Sequence, residues 1–141
     1  MRVEPYLYFN GRCEEAVDFY RRAVGAEVLA LVRFKDNPGT PAPAGAEDKV
    51  MHARLRFGET IVMASDGQGQ GSPSFEGFSL TLTATSDAEA ERLFAALTDG
   101  GQVQVPLMPT PFASRFGMGA DRFGVLWTVA TQAAEQKPGK K

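Results

Sequence analysis

The chain holds one histidine, His52, within the alternating stretch Val50-Met-His-Ala-Arg-Leu-Arg-Phe57. In an extended segment every second residue shares a face, so His52 stands with Arg54 and Arg56, opposite Ala53, Leu55 and Phe57. An imidazole titrating near neutrality can serve as a general base. Beside two guanidinium groups it can also line a cationic wall for an anion. A plain strand histidine, hydrogen-bonded or facing solvent, is the third reading. A second alternating stretch, Phe78-Ser-Leu-Thr-Leu-Thr-Ala-Thr85, sets Ser79, Thr81 and Thr83 opposite Phe78, Leu80 and Leu82. Such hydroxyls orient polar ligands in small-molecule sites, although threonines also populate strands for backbone reasons. A third group is aromatic with one thioether. Phe112, Phe116, Met118, Phe123 and Trp127 suit a pocket wall, a core or a subunit interface. Arg115 and Arg122 each precede Phe-Gly, so each suits either a carboxylate or phosphate ligand or a turn anchor. Asp121 fits best as an acceptor for backbone donors of its own turn.

Other chemistries lack their residues. With Cys13 as the single cysteine, the chain has no intrachain disulfide and no thiolate cluster for a metal. Cys13 falls at a helix start, where a thiol pKa can drop; with no redox group near it in sequence, a structural role is expected. No Gly-x-Gly-x-x-Gly or Walker pattern occurs, and Gly67-Gln-Gly-Gln-Gly71 precedes a Ser-Pro within a linker. One histidine leaves no Ser-His-Asp or Cys-His pair to argue. A formal net charge of -2 with 23% charged residues gives no basic field for nucleic acid or an anionic membrane. The N-terminal residues begin directly with a strand pattern, and no stretch is long enough to span a bilayer. A cytoplasmic address is the expectation.

Those side chains need elements to hold them. Residues 3–9 form a first strand, with Pro5 near its start, where a missing donor suits a sheet edge. Asn10-Gly11 ends it and is placed to cap the helix that follows. In residues 13–24, Ala16, Phe19, Tyr20, Ala23 and Val24 recur at helical spacing. Glu14 and Glu15 complement the positive end of that helix, Arg21 and Arg22 the negative end, and Gly25 is a natural stop. A strand over 27–34 leads into a Pro/Gly-rich excursion, 35–49, which is either mobile or a lid. A hairpin follows, 51–57 and 60–64 around Gly58-Glu59, then a linker over about 67–75.

The second half repeats this order. Residues 78–85 are a strand, and Ser86-Asp-Ala-Glu89 is a capping box opening a helix with Ala90, Leu93, Phe94 and Leu97 on one face. Gly100-Gly101 stops the helix, 102–107 is a strand, and 108–111 is a Pro-bearing connection. A closing hairpin turns at Asp121-Arg-Phe-Gly124. Arg56-Phe-Gly58 in the first half is answered by Arg122-Phe-Gly124 in the second, which points to a duplicated unit. The expected fold is α+β: paired βαβββ modules over about 1–66 and 76–130 within a single domain, 1–130. Residues 131–141 are expected to be a flexible tail.

With this paired order, Pro5-Tyr-Leu-Tyr-Phe-Asn-Gly-Arg-Cys-Glu-Glu-Ala-Val-Asp-Phe-Tyr20 resembles the vicinal-oxygen-chelate superfamily of glyoxalase I, extradiol dioxygenases and bleomycin- and fosfomycin-resistance proteins. Met51-His-Ala, Gly77-Phe-Ser-Leu, Ala88-Glu-Ala-Glu-Arg-Leu-Phe94, Ser114-Arg-Phe-Gly-Met118 and Asp121-Arg-Phe-Gly-Val-Leu-Trp127 narrow the resemblance to its PhnB-like branch, whose members are often labelled 3-demethylubiquinone-9 3-methyltransferase-like. In such folds a metal, where present, is held by one residue from the start of each half and one from each hairpin, typically His or Gln, Glu, His and Glu. By alignment those positions fall on Pro5, His52, Ser79 and Thr128. The resemblance therefore implies a protein with no metal and no cofactor, binding a small anionic molecule through His52, Arg54, Ser79, Thr81, Phe112, Arg115, Phe116, Trp127 and Thr128. It implies a homodimer as well. The alternatives are a metal-dependent lyase or dioxygenase using His52, and a structural or regulatory dimer with a filled cleft.

Overall fold

The computed structural model describes residues 1–67 and 72–132. They form two compact units, Met1–Pro73 and Ser74–Lys141, each a βαβββ module. The first contains β1 (Tyr6–Tyr8), α1 (Cys13–Val24), β2 (Glu27–Arg33), β3 (Val50–Phe57) and β4 (Thr60–Ser65). The second contains β5 (Leu80–Ala84), α2 (Asp87–Thr98), β6 (Gln102–Thr110), β7 (Ala113–Ala120) and β8 (Leu126–Thr131). The sheet orders are β1-β4-β3-β2 and β5-β8-β7-β6. In each, the strand before the helix pairs parallel with the last strand of its module, and the other pairs are antiparallel. Among the described residues no helix is long and apolar enough to cross a membrane.

Each helix covers one face of its own sheet. From α1, Ala16, Val17, Phe19 and Tyr20 are buried, as are Leu7, Ala53, Leu55, Val62 and Ala64 of the strands. Tyr20 is the hub, with Phe19 and Phe57 rings 5.5 and 5.6 Å away. Burying a large apolar side chain of this kind contributes about 1.5–3 kcal/mol. In the second unit Ala90, Leu93, Phe94 and Leu97 of α2 are buried together with Ala84, Trp127 and Val129. The helical spacing therefore located both core stripes correctly.

Asn10-Gly11 does not cap α1. The cap comes from the far end of β4, where the buried carboxylate of Asp66 accepts from the backbone N–H of Gly11 (2.6 Å) and Cys13 (2.8 Å). Its second oxygen accepts from the N–H of Val50 (2.9 Å), the first residue of β3. Asp66, the last residue before the expected linker, thus ties three segments together; residues 68–71 of that linker lie outside those described. In α2 the N-cap is Ser86, as expected, accepting from the N–H of Glu89. The Glu89 carboxylate reaches one residue further back, to the N–H and hydroxyl of Thr85.

The strand ends differ from the sequence expectation for local reasons. β1 is short: Val3 lies outside the ladder and is 92% exposed. β6 is longer, running through Pro106 and Pro109 to Thr110 with three register shifts. An edge strand tolerates prolines because one side of it needs no donors, and β1, with Pro5 before it, is likewise an edge. β8 continues to Thr131, whose buried hydroxyl accepts from the Arg115 N–H. That residue had been grouped with the tail; residues 133–141 lie outside those described.

Two adjacent glycines end α2 for different reasons. Gly100 takes a φ of +83°, which an L side chain adopts only with strain. At Gly101 the constraint is space, since a Cβ would stand 2.0 Å from the Ala120 carbonyl oxygen. Gly101→Ala is expected to lose about 3 kcal/mol in urea unfolding, more than Gly100→Ala at about 1–2 kcal/mol. Asp66→Ala strands the Gly11, Cys13 and Val50 amides and is expected to lose about 3–5 kcal/mol, while Asp48→Ala at the surface leaves the unfolding midpoint nearly unchanged.

Candidate functional site

The sheet face of the first unit that turns away from α1 carries its chemistry. Strand alternation and pairing place Arg54 level with Met63 of β4 and Tyr6 of β1, with Ile61 and Arg56 one step along. Because β4 lies between β1 and β3, this face has a half-buried apolar floor, Ile61 and Met63, between an aromatic row and a cationic row. Tyr6 and Tyr8 stack with centroids 4.9 Å apart and planes within 8°. The Tyr6 hydroxyl reaches across β4 to Nδ1 of His52 at 2.8 Å. Either group can donate in this bond: a donating phenol goes with an imidazole proton on Nε2, an accepting one with a proton on Nδ1. Burial, with smaller effects from Tyr8 and Cys13, raises the pKa of Tyr6 above its usual value, so the phenol stays protonated at neutral pH.

Arg54 differs from the other arginines of this sheet. Arg56 pairs with Glu27, and Arg33 forms a two-toothed bond to Glu14 (2.9 and 2.8 Å). Arg54 is half-buried and, among the described residues, has no ion pair or hydrogen bond to its guanidinium.

The open face of the second unit is lined with hydroxyls, as the alternation indicated. Leu80 pairs with Trp127 toward the helix, while Thr81 pairs with Thr128 on the other side. The Ser79 and Thr128 hydroxyls are bonded to each other at 2.9 Å. Met118 lies beside Thr128, and the Phe116 ring meets the exposed Phe112 ring edge-on at 5.6 Å.

Two candidates stand elsewhere. Trp127, considered above as a pocket residue, is 4% exposed on the helix-covered side, its indole N–H donating to Asp121 at 2.9 Å. Arg115 is turned to α2, paired with Glu91 at 3.1 Å and Asp87 at 3.5 Å. Both follow from strand parity: Arg115 shares its side with Gly117 and Gly119, and a Cβ on Gly119 would press on Thr98 of α2. Asp121 does what its turn suggested, accepting from the N–H of Phe123 and Val125, and adds the indole. Arg122 donates to the Asp99 carbonyl and carboxylate, anchoring its turn. Cys13 is fully buried, and burial, reinforced by the Asp66 and Glu14 carboxylates, pushes its thiol far above the usual range. Tyr6 and Tyr8 went unnoticed as site residues, although they alternate around the buried Leu7.

The four positions aligned with metal ligands do not fit a divalent ion. Pro5 offers only a carbonyl, which accepts from Met63 N–H. His52 Nδ1 is engaged by Tyr6, and Ser79 and Thr128 are neutral hydroxyls bonded to each other. Glu4 pairs with Arg2. Among the described residues no three His, Cys, Asp or Glu side chains gather into a group able to hold a metal. Divalent ions of this kind need several nitrogen and carboxylate donors.

These two modules define a glyoxalase-type fold. Residues 1–130 match the model of the 3-demethylubiquinone-9 3-methyltransferase family. The chain belongs to that family, the PhnB-like one, and its fold is shared with a glyoxylase/bleomycin resistance protein/dioxygenase domain from Frankia that is 14% identical with a TM-score of 0.67. Protein PA1353 from Pseudomonas aeruginosa is 46% identical with a TM-score of 0.83, over 94% of this chain and 98% of that one. The PhnB protein from Bacillus cereus is 26% identical with a TM-score of 0.76, over 93% and 99%. Protein YjdN of Escherichia coli is 31% identical over 98% of this chain and 99% of its own length.

The 37–49 connection is tied down at its base. Phe34 and Lys35 amides donate to the Lys49 and Glu47 carbonyls, Arg33 also donates to the Asp48 carbonyl, and Lys35 pairs with Asp48 at 2.9 Å. The Arg33 fork holds the Glu14 carboxyl below its usual 4.5. A carboxylate so depressed supports the fold at neutral pH, and its contribution is lost as pH falls through the folded-state pKa. By carbon-detected NMR titration, Glu14 is expected to titrate below 4.5 in the native chain and to return toward it in Arg33→Gln.

Proposed function

We propose that the protein binds a small anionic molecule on the open face of its first sheet, with no resident metal. The supporting observation is Arg54, half-buried with no partner for its guanidinium among the described residues. Holding a partly desolvated cation without a counter-charge is costly, and a site that does so is prepared for an anion. With the Tyr6 phenol donating to Nδ1, His52 stands beside it as a second hydrogen-bond donor through Nε2. Ser79, Thr81 and Thr128, with Phe116 and Phe112, form the second unit's own ligand surface in this reading.

Methyl transfer, named in the family's description, has no such support here. An adenosyl cofactor of the common sort is cradled by a glycine-rich turn between strand and helix. The β1–α1 connection has one glycine, Gly11, and the β5–α2 connection has none. A homodimer in the cytoplasm completes the proposal, motivated by the exposed apolar side chains Val103, Met108 and Phe112.

The test is NMR titration of protein purified without chelator and analysed for metals. Acetate and inorganic phosphate are expected to shift the Arg54 Nε and His52 resonances, and Arg54→Gln to weaken the response about tenfold or more. A stoichiometric divalent ion at His52, or an Arg54 signal indifferent to both anions, would overturn the reading. Light scattering is expected to give twice the chain mass; a monomer at all dilutions removes the dimer.

A further inference from the structure

We infer that the anion bound at Arg54 carries a flat aromatic body, placing the ligand among small aromatic carboxylates; this rests on the anion reading above. The sheet face around Arg54 is not that of a simple inorganic anion's site. On the next strand and the same face stand Ile61 and Met63, half-buried and apolar, and on the strand beyond is the Tyr6–Tyr8 stack. A hydrated phosphate has no use for such a surface, whereas an apolar ring covers it and gains from doing so.

The distances suit one small molecule. Tyr6 and Arg54 stand on strands separated by β4, two strand spacings or about 10 Å at the backbone, and the Tyr6 side chain already crosses β4 to reach His52. A carboxylate on Arg54 therefore brings the rest of a benzoate-sized ligand over Met63, within reach of the tyrosine rings. Thioether and aromatic edges are both favourable partners for a π-system.

The aromatic row is set in place before any ligand arrives. Tyr6 is locked by its bond to His52 on one side and by its stack on Tyr8 on the other, the His52 ring lying 5.6 Å away. Yet Tyr6 and Tyr8 remain 36% and 42% exposed. Two immobilised rings that keep this much surface open lose little side-chain freedom when a third ring packs on them. The same row disfavours an aliphatic acid of equal size, which fills the floor but cannot stack. An aromatic cation is excluded by Arg54 itself.

The full chain can be titrated by NMR with benzoate, cyclohexanecarboxylate and benzyl alcohol. Benzoate is expected to bind about 3–10-fold tighter than cyclohexanecarboxylate, and both far tighter than the uncharged alcohol. In Tyr8→Leu the benzoate preference is expected to fall to about one, with urea unfolding confirming that the variant folds. Equal affinity for the two acids in the native chain, or an undiminished preference in Tyr8→Leu, overturns the aromatic inference and leaves the anion reading standing. Arg54→Gln that binds both acids like the native chain overturns the anion reading, and with it this one.

Discussion

The first unit depends on one buried carboxylate. Asp66 sits at the end of β4, yet its oxygens hold the amides of Gly11 and Cys13 before α1 and of Val50 at the start of β3. A carboxylate removed from water must find donors, and backbone amides at a helix start must find acceptors; each need is met by the other. The outcome is a fixed join between strands far apart in sequence. It sets β1 against β4 and β4 against β3 in one register, and a one-residue slip would turn Tyr6, Met63 and Arg54 into the core. The open face therefore inherits its geometry from a residue that does not lie on it.

The second unit solves the same problem with Asp121, but locally. Its carboxylate serves the turn between β7 and β8 and the indole of Trp127. Trp127 is thereby committed to the helix-covered side, and Thr128, one residue on, to the open side. The two modules share a topology and differ in what they expose. One open face offers a guanidinium, an imidazole and phenols; the other offers hydroxyls and phenylalanine rings. Family membership describes the scaffold, and these side chains describe the chemistry. At the positions that the resemblance aligns with a His or Gln, a His and a Glu ligand, this chain has Pro5, Ser79 and Thr128.

Much of the architecture was legible in the sequence because it rests on short-range rules. Helical spacing in residues 13–24 and the Ser86 cap each follow from the chain within a few residues, and α1 begins and ends where the spacing places it. Strand parity likewise separated Thr81 from Leu80 and His52 from Ala53. Parity was less informative for Trp127 and Arg115, since a sequence does not state which side of a hairpin the helix will cover. Tyr6 and Tyr8 were missed for the opposite reason: aromatic residues in a strand suggest core, and only their pairing partners reveal an open face.

By itself, then, the sequence determined the paired βαβββ order, the helix stripes, the edge position of Pro5 and the row that joins His52 to Arg54. All of these are set by period, propensity and the loss of a proline donor. Tertiary structure alone decided that Asp66, on the threshold of the expected linker, would cap α1, that Tyr6 would bond His52 across β4, and that Arg54, among the described residues, would be left without the partner that Arg33 and Arg56 have. Each of those depends on which residues from distant strands come to lie side by side, and that is fixed by the burial of one sheet face and the register it imposes.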